Sequence, residues 1–423
     1  MVTLGVIADD YTGATDVASM LVRAGMRTVQ VIGVPEGPAP RGDAVVVALK
    51  TRTAPSAEAV RASLAALAWL QAAGMRQCYF KYCSTFDSTP AGNIGPVTDA
   101  LLRALGADFT IACPAFPENG RTVFRGHLFV GDELLSDSGM KNHPLTPMHD
   151  ANLVRVLQAQ TTQRVGLLRH DVVAEGAAAV RARIAALRAE GIGIAIADAT
   201  RNADLRTLGA ACAELPLLTA GSGLAFGLPA VYAERGWLRL DSNAAALDPA
   251  AGRAAVVSGS CSLATHAQVQ HWKAAGRPAF AVDPRALARG EPVAERALAW
   301  ATEQPADTPV LVYATTATAE LASVQAELGA MQAGALVEAC LARIAAGLVA
   351  RGVERLVVAG GETSGAVVQA LGVQQLRIGR AICPGVPWTQ AESTPRPLHL
   401  ALKSGNFGGA DFFDAALGLG ATA

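Results

Sequence analysis

The sequence predicts an α/β protein of two domains, each built on a mostly parallel sheet flanked by helices, with the active site in the interdomain cleft. Three observations carry this prediction. Short apolar runs rich in Val, Ile and Ala alternate with longer Ala/Leu-rich stretches, which is the pattern of parallel strands joined by crossover helices. At 423 residues the chain is long for a single core, and roughly two or three domains is the usual division of such a length. The stretch LDSNAAALDPAAGRAAVVSGS (240–260) interrupts helical residues with Asp, Asn and Pro before a fresh apolar run. A boundary near Leu247 and Asp248 follows, giving domains 1–246 and 247–423.

Within the first domain, strands are expected at 4–8, 29–34, 44–49, 77–81, 109–112 and 192–197, each a compact apolar run. Helices are expected at 14–24, 56–73, 94–105 and 176–189, where Ala and Leu recur at helical spacing. The second domain repeats the alternation, with strands at 254–257, 279–282, 310–313, 355–359 and 398–402 and helices near 265–275 and 335–350. No short repeat of solenoid type interrupts it.

Composition narrows the function. Hydrophobic residues make up 51% and charged residues 17%, so the chain is a compact globular protein. Lys plus Arg number 35 and Asp plus Glu number 36, with no basic block, which argues against nucleic acid as a partner. No basic segment precedes a cleavable apolar core, and no apolar run is expected to reach the roughly 18 to 20 residues that cross a bilayer; a soluble, cytoplasmic protein with no membrane partner is expected. Seven cysteines without a CxxC pair suit reduced thiols better than disulfides or zinc.

The chemistry is concentrated where strands end. GVIADDYTGATD (5–16) delivers Asp9 and Asp10 straight off the first strand, at the edge where open α/β sheets bind ligands. Two close carboxylates raise one pKa toward the range of a general base, and Asp10 or Asp9 can accept a hydroxyl proton. A capping role at a helix starting near Ala14 explains one of them equally well. KYCSTFDST (81–89) gathers Lys81, Ser84, Thr85, Asp87 and Ser88 into one loop, and KTRT (50–53) repeats the arrangement one strand earlier; ammonium and hydroxyl groups suit a small polyhydroxy acid. Either loop alone also reads as a surface turn. The segment 113–148, dense in Pro, Gly and charge, holds Asn119, Arg121, His127, Lys141, Asn142 and His143 and reads as a long irregular lid or binding loop. His143 and His149 lack a third clustered ligand, so no metal site is expected there.

The second domain carries three glycine-rich turns after strands: SGSCS (258–262), GGETSG (360–365) and KSGNFGG (403–409). Such turns let the backbone approach a ligand, and amides at a following helix start receive phosphate oxygens. A P-loop is excluded because GxxxxGK[ST] does not occur. GSGLAFG (221–227) has the wrong spacing for a dinucleotide fingerprint.

Taken in order, the blocks GVIADDYTGATD, KYCSTFDST, NGRTVFRGHLFVGD, SDSGMKNHPLTPM, TAGSGLA, VVSGSCS, VAGGETSG and KSGNFGGADFF resemble the four-carbon acid sugar kinases over nearly the whole chain. The resemblance implies an N-terminal acid-sugar domain, a C-terminal nucleotide domain, and ATP-dependent phosphorylation of a terminal hydroxyl, with Mg²⁺. It implies that Ser258, Gly360, Gly361, Glu362, Thr363 and Gly405 hold ATP, and that Asp10, Arg52, Lys81, Tyr82, Cys83 and Ser84 hold the acid sugar. Kinases for threonate and erythronate share several of these blocks. A homodimer is the assembly considered.

Two rival readings differ in what they require. A nicotinamide-dependent dehydrogenase also pairs two α/β domains, but needs GxGxxG after its first strand, where this chain has DDYTG. A non-catalytic sugar-acid sensor leaves the three glycine turns without a purpose.

Overall fold

The computed structural model describes residues 2–143, 145–315, 329–392 and 397–419. The chain separates into two compact units, Met1–Ala245 and Ala246–Ala423. In the first unit the described strands run in chain order as β1 (Leu4–Ala8), β2 (Thr28–Ile32), β3 (Ala44–Ala48), β4 (Gln77–Lys81), β5 (Thr110–Cys113), β6 (Arg121–Phe124), β7 (His127–Val130), β8 (Glu133–Leu134), β9 (Val165–Leu168), β10 (Ile194–Ala197) and β11 (Leu217–Ala220). Eight of them form a parallel sheet in the order β2-β3-β1-β4-β11-β5-β10-β9. Every residue of β1, β3, β4, β5, β10 and β11 is buried, as in a parallel sheet covered on both faces, so these strands read as mostly apolar runs.

The helices of this unit are α1 (Tyr11–Arg23), α2 (Ser56–Ala72), α3 (Ile94–Ala104), α4 (Leu153–Gln158), α5 (His170–Ala174), α6 (Ala177–Ala189), α7 (Asn202–Cys212) and α8 (Leu228–Glu234). The first begins at Tyr11, three residues earlier than expected. Asp10 is its N-cap, extended at φ −149° and ψ 162°, and accepts a hydrogen bond from the Gly13 amide. The segment 113–148 also departs from the irregular loop expected of it. It contains the antiparallel sheet β6-β7-β8, turned at Arg125-Gly126, both with positive φ.

The second unit has β12 (Arg253–Ser258), β13 (Ala279–Ala281), β14 (Val310–Tyr313), β15 (Val353–Ala359), β16 (Gln375–Cys383), β17 (Val386–Ala391) and β18 (Leu398–Lys403). Their order is β13-β14-β12-β15-β18-β17-β16, parallel as far as β18 and antiparallel thereafter. The described helices are α9 (Leu263–Ala274), α10 (Pro284–Ala288), α11 (Val293–Glu303), α12 (Ala330–Ala350), α13 (Gly361–Ala370) and α14 (Phe412–Leu417). Val256, Trp272, Leu311, Val357, Ala401, Phe412 and Phe413 share one core on a face of this sheet.

One sequence expectation needs correction here. The window Ala333–Ala350, 18 residues at mean hydropathy 1.7, is long and apolar enough to cross a membrane by length and composition. In the structure α12 packs on α10, α11, α13 and β15 and buries Leu341, Ile344, Ala345 and Leu348 along one face.

Candidate active site

The order β3-β1-β4-β11 places the loops leaving four neighbouring strands side by side in the first unit. Backbone hydrogen bonds tie them together. The Asp9 amide donates to the Lys81 carbonyl at 3.1 Å, and the Asp9 carbonyl accepts from the amides of Thr51 at 2.9 Å and Arg52 at 3.2 Å. Asn93, which no sequence motif singled out, donates its side-chain amide to the carbonyls of Thr51 (2.8 Å), Arg52 (3.3 Å) and Ala54 (2.8 Å), and so pins the KTRT loop.

Arg52 is the centre of a charge cluster. Its Nε and Nη2 donate to the two oxygens of Asp9 at 2.9 and 2.8 Å, the bidentate fork that guanidinium and carboxylate form best. Nη2 also donates to Asp10 Oδ1 at 2.6 Å, and Nη1 stands 3.8 Å from Asp87 Oδ2. Asp10 accepts in addition from the Thr12 hydroxyl at 2.8 Å and the Gly13 amide at 3.1 Å, so it caps α1 and belongs to the cluster at once. The two sequence readings of Asp10 are therefore compatible.

The paired carboxylates are driven apart electrostatically. Burial pushes Asp9 above the usual carboxylate range, against the pull of Arg52, and the neighbouring Asp10 charge is a lesser contribution in the same direction. Burial also opposes ionisation of Asp10, but Arg52, Lys81, the Thr12 hydroxyl and the Gly13 amide outweigh it and hold Asp10 below that range. Burial works against the Arg52 cation too, and the two aspartates more than offset it.

Lys81, the last residue of the central strand β4, is 3% exposed. Among the described residues no hydrogen bond or ion pair reaches its ammonium, which lies instead over the bare face of Gly13. A Cβ on Gly13 would stand 2.2 Å from Lys81 Nζ and 2.2 Å from Asp10 Oδ1, so only glycine fits between them. The loop beyond is strained: Phe86 and Asp87 have φ of 66° and 43°, rare for residues carrying these side chains. Thr85 holds Asp87 by donating to Oδ1 at 2.7 Å.

Not every residue of the KYCS block faces this cluster with its side chain. Tyr82 is fully buried between Phe80 and Phe86, with its hydroxyl 3.2 Å from Thr219 Oγ1. Cys83 is half-buried, its Sγ 2.9 Å from Thr85 Oγ1 and its thiol pushed up to about 12 by burial. Ser84 is half-buried. His143 accepts from the Thr146 amide at 3.1 Å within its own turn, and His149 is exposed; among the described residues no group of three metal-ligand side chains exists.

In the second unit, the three glycine turns leave the adjacent strands β12, β15 and β18. The amides of Gly259 and Ser260 donate to the Ala359 carbonyl at 3.0 and 3.2 Å, and the Gly360 amide donates to the Lys403 carbonyl at 2.8 Å, so the three turns form one continuous edge. Gly360 has φ 128°, and a Cβ there would meet Thr363 Oγ1 at 2.9 Å. Gly361 opens α13 with open space where a side chain would be, leaving first-turn amides for a phosphate. Glu362 is exposed and Thr363 buried in the same turn. Gly405 packs against Ser260 and Ser262, and its carbonyl accepts from Ser262 Oγ at 2.6 Å and Thr265 Oγ1 at 2.9 Å. Ser258 lies just beneath, fully buried, its hydroxyl 2.7 Å from Thr315 Oγ1.

Lys403 organises the third turn, a role its place in a glycine motif concealed. Its buried ammonium donates to Thr265 Oγ1 and to the carbonyls of Ser404 and Gly405, each at 3.0 Å. Burial lowers its pKa to about 7.

Comparison with known proteins finds two family models along the chain. Residues 4–228 match a family described as a sugar-binding N-terminal domain, and residues 255–413 one described as a nucleotide-binding C-terminal domain. A protein of Cupriavidus necator named 3-oxo-tetronate kinase is 63% identical over 98% of this chain and 96% of its own length. One of Pseudomonas fluorescens with the same name is 64% identical with the same coverage. Among solved structures, a Salmonella typhimurium LT2 protein superimposes with a TM-score of 0.87 at 46% identity, covering 98% of this chain and 99% of that one. A Haemophilus influenzae protein gives 0.79 at the same identity and coverage.

Proposed function

The chain belongs to the four-carbon acid sugar kinase family, and from that membership we propose that it phosphorylates the 4-hydroxyl of 3-oxo-tetronate with ATP, giving 3-oxo-tetronate 4-phosphate and ADP. One observation carries the reading: a buried lysine with no hydrogen bond among the described residues, beside two polarised aspartates, lies in the part matched by a sugar-binding family, within a chain 63–64% identical to kinases of that name. Identity at this level over nearly the whole length favours 3-oxo-tetronate over threonate or erythronate, and nothing in the comparisons favours a dehydrogenase.

Phosphoryl transfer asks the protein chiefly for positioning and charge stabilisation. Lys81 Nζ and Arg52 Nη1, the latter 3.8 Å from Asp87 Oδ2, receive the substrate carboxylate. Asp10, fixed by its capping bonds, orients the 4-hydroxyl and takes its proton late in the transfer; its low pKa suits an acceptor that stays ionised, and Asp9 holds Arg52 in place. The helix start at Gly361 and the turn at Gly405 cradle the nucleotide phosphates, with Thr363 and Ser258 supporting that edge from below. Mg²⁺ neutralises charge on the phosphates when bound. It ordinarily takes one or two carboxylates plus phosphate oxygens and water, so a three-ligand protein cage is not required.

The test is coupled ADP release over a panel of four-carbon acids, with and without Mg²⁺. Mg²⁺-dependent release fastest on 3-oxo-tetronate is expected; NAD(P) turnover without ATP, or acid binding with no ADP release, contradicts the reading.

A further inference from the structure

Besides the cluster around Arg52, a second set of polar side chains lies near Lys81. Asp16 sits on α1, Ser222 follows β11, and Arg121 opens β6. Asp16 is 5% exposed and Ser222 1%. Asp16 Oδ1, Ser222 Oγ, Arg121 Nε and Asn119 Nδ2 are each buried and have no hydrogen-bond partner among the described residues. Arg121 and Asn119 are joined through the Asn119 carbonyl, which accepts from Arg121 Nη1.

The contrast with Asp9 and Asp10 is chemical. Those two carboxylates each accept hydrogen bonds within the protein, from Arg52 and, for Asp10, also from Thr12 and the Gly13 amide. Asp16 is close enough to Lys81, Ser222 and Arg121 for each to favour its charged form, yet the Ser222 hydroxyl and the Lys81 ammonium leave Oδ1 without a bond. Burial pushes its carboxyl up to about 6, although Lys81, Ser222 and Arg121 each pull the other way. Buried polar groups are nearly always paired, so four orphaned atoms beside the Lys81 ammonium call for a polar ligand. Their inventory is one carboxylate acceptor, one hydroxyl, two donors and an ammonium, which matches a carboxylate with a hydroxyl on the adjacent carbon.

The backbone supports a built pocket. Glycines at 221 and 223 bring the loop after β11 against the exit of β5: a Cβ on Gly221 would lie 2.7 Å from the Pro114 carbonyl oxygen, and one on Gly223 2.4 Å from that of Ala115. Ser222 is held between these two close approaches.

We propose that Asp16, Ser222 and Arg121 form the specificity half of the acid-sugar pocket. Asp16 Oδ1 accepts the hydroxyl on the carbon next to the substrate carboxylate, Ser222 completes that contact, and Arg121 shares the carboxylate with Lys81. The inference rests on the acid-sugar kinase reading above and deepens it: this group sets which acids are accepted. A site built to hydrogen-bond a hydroxyl can reject the analogue lacking it by up to about 10⁴-fold, whereas apolar contacts discriminate far less.

The experiment measures kcat/KM by ADP release for wild type, Asp16→Asn and Ser222→Ala on 3-oxo-tetronate and on 4-hydroxy-3-oxobutanoate, which lacks only that hydroxyl. Calorimetric titration of each acid in the absence of nucleotide accompanies it. Wild type is expected to prefer the hydroxylated acid by about 100-fold or more. Asp16→Asn reduces the preference to within about tenfold while KM for ATP moves less than about twofold, and Ser222→Ala shifts it in the same sense by less. An unchanged preference in the folded variants overturns the subsite and leaves the kinase reading intact. Should Asp16→Asn not fold, Ser222→Ala and its calorimetry decide alone. Absence of ADP release by wild type on every four-carbon acid overturns the kinase reading and this inference with it.

Discussion

Gly13→Ala separates a site function from a folding function at one atom. Gly13 lies in the first turn of α1, where replacing glycine by alanine ordinarily stabilises a helix by about 1 kcal/mol. Here the added methyl would stand 2.2 Å from both Asp10 Oδ1 and Lys81 Nζ, where real contacts are essentially never under 3.0 Å. Both groups must retreat by about 1 Å, and a misplacement of that size costs about 100-fold in rate when it disturbs reacting groups. Steady-state ADP release at saturating ATP should therefore show kcat/KM for the acid reduced about 100-fold, with KM for ATP nearly unchanged. Scanning calorimetry should show a melting temperature within a few degrees of wild type. A variant with full activity on the acid would refute the reasoning, because it would mean that the Asp10–Lys81 geometry is not needed for turnover.

Three further outcomes are expected. Asp10→Asn keeps the helix cap but gives up the charge facing Arg52 and Lys81, so the fold is retained with some loss of stability while kcat falls by about 10²-fold or more, read in the same assay with a denaturation curve alongside. Gly361→Val fills the open space before α13 and raises KM for ATP by at least about tenfold with a smaller change in KM for the acid; equal effects on both would count against a phosphate role for that turn. Lys403 gives a pH signature: its folded pKa of about 7 lies below the unfolded 10.5, so between these values the unfolded chain holds a proton the folded chain lacks, and stability rises with pH. Denaturant midpoints at pH 7 and 9.5 should show that rise in wild type relative to Lys403→Met, and parallel profiles would contradict the assignment.

Much of this was legible because the chemistry sits where strand pattern gives way to polar residues. The runs LGVIA and QCYFK end where β1 and β4 end, so Asp9, Asp10 and Lys81 could be placed on one edge from periodicity alone. Asp16 was not legible, since a buried aspartate within a helix looks like any other helical residue until its neighbours are known. Asn93 and Lys403 escaped for the same reason: each acts through backbone carbonyls distant or hidden in the sequence. Tyr82 and Ser258 stand in motif blocks yet turn their side chains into the interior, which motif position does not reveal. The β16–β17 hairpin was overlooked although Pro384 and Gly385 mark its turn, because an α/β alternation leads one to expect a helix between strands.

The central claim is that phosphate moves from ATP to the terminal oxygen of a four-carbon acid. Phosphorus NMR of the purified chain incubated with MgATP and 3-oxo-tetronate tests it directly. The account predicts one phosphomonoester coupled to the C4 methylene protons, appearing in step with ADP. Free phosphate with ADP, or no loss of ATP beyond a protein-free control, would contradict it.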